Sequence, residues 1–309
     1  LGDLDGDGDL DAFVANFVQA NRVWLNVPAK ASEVLVRGSG WTQPILDHLD
    51  SLSLGTDGYS IPVGSGDQLD ALPWSNIDQI LIRFNTQVNV DLSDLTLTGV
   101  NVAAYGLAGL TTGTGATGDF EAVWTLTAPI ASDKLRIRLD GTTGGAVTDT
   151  SGNALDGEWI DTVSTYPSGD VAAGGDFAFR FNVLPADFNG DGVVTLNPDL
   201  QNLLAGNGAS IGAGTYSPFI DLNGDGVVTL NPDLQTGLSN NGTFLPLGDP
   251  IAPGTPGEGT SPTLGAATAT PATSATTKPD GTTVAVERVI AIRSRNQASE
   301  PPLNTTMFA

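Results

Sequence analysis

The stretch from Asp187 to Gln201 is written again from Asp221 to Gln235, with Leu222 replacing Phe188 as the single change. Each copy places oxygen-bearing side chains at alternate positions, Asp187, Asn189 and Asp191 in the first and Asp221, Asn223 and Asp225 in the second. Gly192 and Gly226 follow at once and permit a sharp turn. Asn-Gly-Asp-Gly is also a favoured turn in its own right. Two near-identical copies, each running into a helix start, go beyond what a turn needs. Alternate inward oxygens are what a hard divalent cation requires, because such an ion takes about six to eight oxygen ligands.

The pattern resembles the first half of an EF-hand-type calcium loop. Asp187, Asn189 and Asp191 take loop positions one, three and five, and Val193 offers its backbone carbonyl at position seven. Asp221, Asn223, Asp225 and Val227 do the same in the second copy. After each loop, Asn197 or Asn231 is placed to cap a helix, with Pro198 or Pro232 in its first turn. Leu200, Leu203 and Leu204 then form an apolar stripe. In the second copy Gly237 interrupts that stripe, so a weaker helix is expected there.

Two loop-helix units without an incoming helix resemble a type I dockerin module over residues 184–248. The resemblance implies calcium binding and docking to a cohesin-like or cell-surface protein. It also implies a chelating acid at loop position twelve, where this chain has Pro198 and Pro232. Asp199 and Asp233 stand one residue later and are the acids available to close each cage, with water as the alternative. The partner-reading positions, ten and eleven, fall on Leu196 and Asn197 and on Leu230 and Asn231.

A second acidic run opens the chain. Asp3, Asp5, Asp7 and Asp11 are candidate side-chain ligands and Asp9 a candidate carbonyl ligand, ahead of the strand-like 12–16 and 21–26. Residues 1–30 resemble one FG-GAP/VCBS-type repeat, the blade unit of a β-propeller. One blade cannot bury its own faces, so this piece is expected to lean on a neighbour. The chain begins inside the motif at Leu1, which reads as a truncated N-terminus.

Residues 31–183 read as β throughout after a short helical patch carrying Ile45, Leu46 and Leu49. Ile80, Ile82 and Phe84 alternate with Gln79 and Arg83, and Phe120, Ala122, Trp124 and Leu126 with Glu121 and Thr125. Leu135, Ile137 and Leu139 alternate with Arg136 and Arg138, and Phe177, Phe179, Phe181 and Val183 with Arg180 and Asn182. This period-two pattern, cut by turns such as Asp140-Gly141 and Asp156-Gly157, predicts an antiparallel β-sandwich. The run 147–157 resembles a late hairpin of bacterial Ig-like domains. The expected architecture is therefore mainly β: an Ig-like sandwich, a small α dockerin-like module and a partial propeller repeat. This order is similar to large secreted proteins of planctomycete-type bacteria. Residues 249–283, rich in Pro, Thr, Ala and Gly, read as a linker, and 284–309 as a tail.

Composition narrows the function. The formal charge is −23 with no basic stripe, which argues against a nucleic-acid partner. Cysteine is absent, and no apolar run has membrane-spanning length. The expected location is extracellular or at the cell surface. His48 is the sole histidine, and no nucleophile motif accompanies it. Glu121 and Glu158 invite a glycosidase reading as a pair, but Glu121 falls on the polar face of a strand and nothing in the sequence joins the two. The expectation is a non-catalytic, exported, calcium-binding attachment protein, with polysaccharide as a further candidate partner. The alternative is the C-terminal accessory portion of a secreted polysaccharide-degrading enzyme whose catalytic domain lies upstream. A sixty-residue module with few large apolar groups leans on its ions, so cation removal is expected to unravel 187–238 and spare the sandwich.

Overall fold

Alternation of apolar and polar residues puts one face of each strand against a partner sheet, and two sheets result. The computed structural model describes residues 1–2, 4, 10–16, 19–24, 26–142 and 146–251, with two short strands beyond them. The strands, in chain order, are β1 (Ala12–Val14), β2 (Arg22–Trp24), β3 (Ala31–Arg37), β4 (Tyr59–Ser60), β5 (Ala71–Leu72), β6 (Gln79–Phe84) and β7 (Val88–Asn89). They continue as β8 (Leu95–Gly99), β9 (Leu107–Thr114), β10 (Phe120–Leu126), β11 (Asp133–Leu139), β12 (Thr148–Asp149) and β13 (Phe177–Val183). A five-stranded sheet runs β4-β3-β6-β10-β9 and a four-stranded sheet β5-β13-β11-β8. All pairs within them are antiparallel except β5 with β13. The protein is mainly β, with antiparallel sheets and a few short helices.

The inner faces form one core. Val34, Val36, Ile80, Ile82, Phe84, Ala122 and Trp124 meet Leu97, Leu135, Ile137, Phe177, Phe179 and Phe181, all of them buried. Helix α1 (Gln43–Ser51) adds Ile45, Leu46 and Leu49 to it. The outer face of the larger sheet departs from simple alternation. Arg83, expected on a polar face, is only 2% exposed and lies between Glu33 and Glu121 on the strands either side, with Thr56 O at 2.7 Å. Three strands are thus tied by one guanidinium whose charge is met on both sides, the condition under which a buried cation is tolerated. Burial raises the Glu121 carboxyl, and Arg83 opposes that rise.

Residues Leu1–Glu258 make one compact unit, so the two-loop segment is part of the same body as the sandwich. A second, smaller cluster joins Ala71 to Leu184, Ala186, Val194, Leu203, Ile220, Leu222 and Val228. Helices α2 (Gln201–Ala205) and α3 (Gln235–Asn240) follow the loops. Gly237, read from the sequence as weakening the second helix, sits in a helix one residue longer than the first. A Cβ there would stand 2.6 Å from Leu203 and 3.0 Å from Leu200, so the missing side chain lets the helices approach. The β1–β2 hairpin is held by Asp11, fully buried, which accepts from Leu4 N (2.6 Å) and Asn26 N (2.8 Å). Separately, β14 (Thr276–Thr277) pairs with β15 (Thr283–Val284) within residues 259–309; the rest of the linker and tail lies outside the described residues. No helix among the described residues is long and apolar enough to cross a membrane.

The second loop is pressed onto the sandwich. Gly224 has φ +68° and lies against the Trp41 indole, with no room for a Cβ. Gly208 has φ +85° but faces open space. Gly224→Ala should therefore cost at least ~1 kcal/mol more than Gly208→Ala, the excess being overpacking rather than backbone strain. Thermal unfolding of the two variants checks this, and equal losses would mean that the Trp41 contact is unimportant.

Candidate metal centre

Both repeats fold alike because the same carboxylates meet the same backbone donors. The position-one carboxylate accepts from the position-six amide, Gly192 N to Asp187 Oδ2 and Gly226 N to Asp221 Oδ2, each at 2.7 Å. At position five, Asp191 accepts from Val193 N at 3.0 Å and Asp225 from Val227 N at 2.9 Å. Asn189 and Asn223 donate to those same aspartates at 2.8 and 2.9 Å. Asp187 and Asp221 are fully buried, whereas Asp191 and Asp225 are exposed. The loops also pair alike: Val193 bridges Phe244, and Val227 bridges Ser210.

Asp199 and Asp233 come back to the start of each loop. Asp199 Oδ1 accepts from Phe188 N at 3.1 Å, and Oδ2 accepts from Thr195 N and Oγ1 at 2.7 and 2.9 Å. Asp233 receives Leu222 N and Thr229 N, both at 2.8 Å, and Thr229 Oγ1 at 3.1 Å. This is the geometry of a cap that closes the loop on itself. Asn197 (φ −140°, ψ 117°) and Asn231 (φ −139°, ψ 116°) keep extended backbone before cis Pro198 and cis Pro232. Among the described residues neither Asn side chain hydrogen-bonds to the helix, so the expected capping role falls to the following aspartate.

One atom is left over. Asp187 Oδ1 is buried and has no hydrogen-bond partner among the described residues. A buried acceptor without a partner is costly, and a cation is what a carboxylate oxygen in such a loop accommodates. The residues of the first loop are oxygen donors of the kind a hard divalent cation takes: Asp187, Asn189, Asp191 and the Val193 carbonyl would hold one. The ion would supply an electrostatic cross-link of the loop. Burial raises the Asp187 carboxyl to about 6 against its Gly192 hydrogen bond, with Asp191 and Asp199 adding to the rise. Burial raises Asp221 to about 6 as well, opposed by Tyr216 and Gly226.

Two features of this region escaped the sequence. Tyr216 donates its hydroxyl to Asp221 Oδ2 at 2.8 Å. The residue five before Asp187 is Asn182, which bonds Leu69 O instead, so the repeat diverges just ahead of its loops. Elsewhere, Asp156, Glu158 and Asp170 bring one carboxylate oxygen each within 4.8 Å of one another and could hold a metal ion. Among the described residues no other three acids converge so closely, those of the two loops included. Asp156 already has the Lys30 ammonium at 2.8 Å and the Asp170 and Val171 amides. Asp156-Gly157 was legible only as a turn because its partners lie on a separate loop. Of the N-terminal candidates, Asp3, Asp5, Asp7 and Asp9 lie outside the described residues. Asp11 holds the hairpin as described above. No family model, curated protein or solved structure matches the chain.

Two outcomes are expected. Asp233→Ala should lose ~3 kcal/mol in metal-free buffer, because it strands the Leu222 and Thr229 amide donors that the carboxylate now satisfies. A loss confined to calcium-loaded protein would identify Asp233 as a ligand instead. Second, the raised Asp187 and Asp221 carboxyls take up protons in the folded state before they do so in the unfolded chain. Metal-free protein should thus melt higher at pH 5 than at pH 7, and Ca²⁺ should reverse that trend because protons then compete with the ion.

Proposed function

We propose that this is a non-catalytic, exported, calcium-stabilised attachment protein that docks through a dockerin-like pair of loop-helix units. The carrying observation is the presentation of the two copies. Leu196 is 67% exposed and Leu230 62%, with Asn197 and Asn231 exposed beside them. Leu204 and Leu238 are exposed at matching places on α2 and α3. Paired apolar side chains on a repeated scaffold suit a protein partner, because contact with one copy is available again at the other. A cohesin-like module or another cell-surface protein is the partner class this reading supports, with the Ig-like sandwich as the platform.

The candidate chemistry elsewhere supports a non-catalytic reading. Glu121 is engaged by Arg83, and Glu158 clusters instead with Asp156 and Asp170. The His48 ring stands edge-on to Tyr216 at 5.4 Å. Trp124 is in the core, and Trp159 packs among Tyr166, Phe177 and Phe179, which leaves neither as a sugar platform.

A panel of cohesin modules and bacterial cell-surface proteins, measured by calorimetry in Ca²⁺, tests the reading. The double variant Leu196→Asp/Leu230→Asp should weaken binding by about a hundredfold, the loss of about two anchor residues, with an unchanged melting temperature. Undiminished binding by that variant would remove these positions from the interface.

A further inference from the structure

The two loops share a sequence but not a setting. Resting on the calcium reading above, we infer that cation dependence is divided unequally: the first loop needs the ion to keep its shape, whereas Tyr216 and the sandwich hold the second without one.

In the second loop both oxygens of the position-one carboxylate have donors from within the protein. Asp221 Oδ1 accepts from Gly224 N at 3.0 Å and Asp225 N at 3.2 Å, and Oδ2 accepts from Gly226 N and the Tyr216 hydroxyl. Sandwich donors also take the backbone carbonyls of the loop. Ser75 N bonds Leu222 O at 3.0 Å, Asn76 Nδ2 bonds Asn223 O at 2.6 Å, and Thr42 N bonds Gly224 O at 3.0 Å. Thr42 Oγ1 reaches Asp225 O at 3.2 Å. The conformation of this loop is fixed from outside, through Tyr216 on one flank and the α1 and β5–β6 connections on the other.

The first loop has fewer such supports. One sandwich bond reaches its backbone, Ala71 N to Gly190 O at 3.3 Å. Among the described residues no hydroxyl meets Asp187, and its buried Oδ1 has no partner. Gly190 N, the counterpart of Gly224 N, acts on that carboxyl as a weak backbone donor that lowers it, and does not reach Oδ1 at the hydrogen-bond distance that Gly224 N keeps from Asp221. Without a cation, this loop keeps a buried carboxylate incompletely compensated, and other backbone bonds, from Leu245 N to Gly192 O and from Val194 N to Thr243 O, run to the C-terminal 243–245 stretch and not to the sandwich. The expectation that the whole of 187–238 unravels on chelation is therefore replaced by one confined to the first loop.

Hydrogen exchange of the full chain, stripped of metal and then given Ca²⁺, reads the two loops separately. Amides of 188–200 should gain about tenfold or more in protection, while those of 222–234 are protected beforehand and change less than about threefold. Tyr216→Phe keeps the ring against His48 and deletes the hydroxyl, so metal-free protection of 222–234 should fall about tenfold and return with Ca²⁺. Equal gains in both loops of the wild-type chain would overturn the inference and leave calcium binding standing. Unchanged exchange of 222–234 in Tyr216→Phe would overturn the part given to Tyr216. No response of either loop to Ca²⁺ would sink the calcium reading and this inference with it.

Discussion

The fold depends on a buried aspartate accepting backbone N–H groups. Asp133, with no exposed surface, gathers the amides of Val100, Asn101, Val102 and Lys134 and the Tyr105 hydroxyl where β11 begins. Asp149 gathers Ser151 N and Asn153 N, and Asp156 gathers Asp170 N and Val171 N. Asp187, Asp199, Asp221 and Asp233 do the same in the two loops. A carboxylate has room for several donors, and charge-assisted bonds to amides are stronger than neutral ones. In a chain without cysteine, such hubs fix irregular segments that the ladders of the sheets do not reach. The price is desolvation, which the raised carboxyls of Asp187 and Asp221 record.

The same interaction sets what a cation can add. Where amides and hydroxyls satisfy the buried charge, as at Asp221, the loop has its shape already; where they fall short, as at Asp187, an ion has work to do. The repeated sequence fixes the donors inside each loop, and the surroundings fix the rest. The chain carries −23 formal charges, so an added divalent ion also relieves repulsion across an acidic body.

Much of the sandwich was legible. The alternating segments of β6, β10, β11 and β13 bury the apolar side that their period predicts, because each of those strands faces a second sheet. Strand β9 was missed: Leu-Ala-Gly-Leu-Thr-Thr-Gly-Thr has no apolar alternation, since an edge strand paired on one side needs little of it. Arg83 was read as surface because a sequence shows its charge and not the two glutamates that neighbouring strands bring beside it. In the candidate site, the loop oxygens were legible from spacing alone. The backbone-directed role of Asp199 and Asp233, the Tyr216 hydroxyl and the meeting of Asp156 with Asp170 were not. Each depends on which way a side chain turns or on which distant loop arrives beside it.

The aromatic group under the second loop has an optical consequence. Trp41 and Trp74 meet at a tilt with ring centres 5.1 Å apart, Phe219 lies 5.4 Å from Trp74, and the Trp74 indole N–H bonds Pro218 O at 2.9 Å. Trp41 also touches Gly224. Any movement of that loop changes the polarity around two indoles, whereas the contacts of the first loop, at Asp70 and Ala71, involve none. The chain carries a built-in fluorophore for one half of its repeat and is spectroscopically blind to the other.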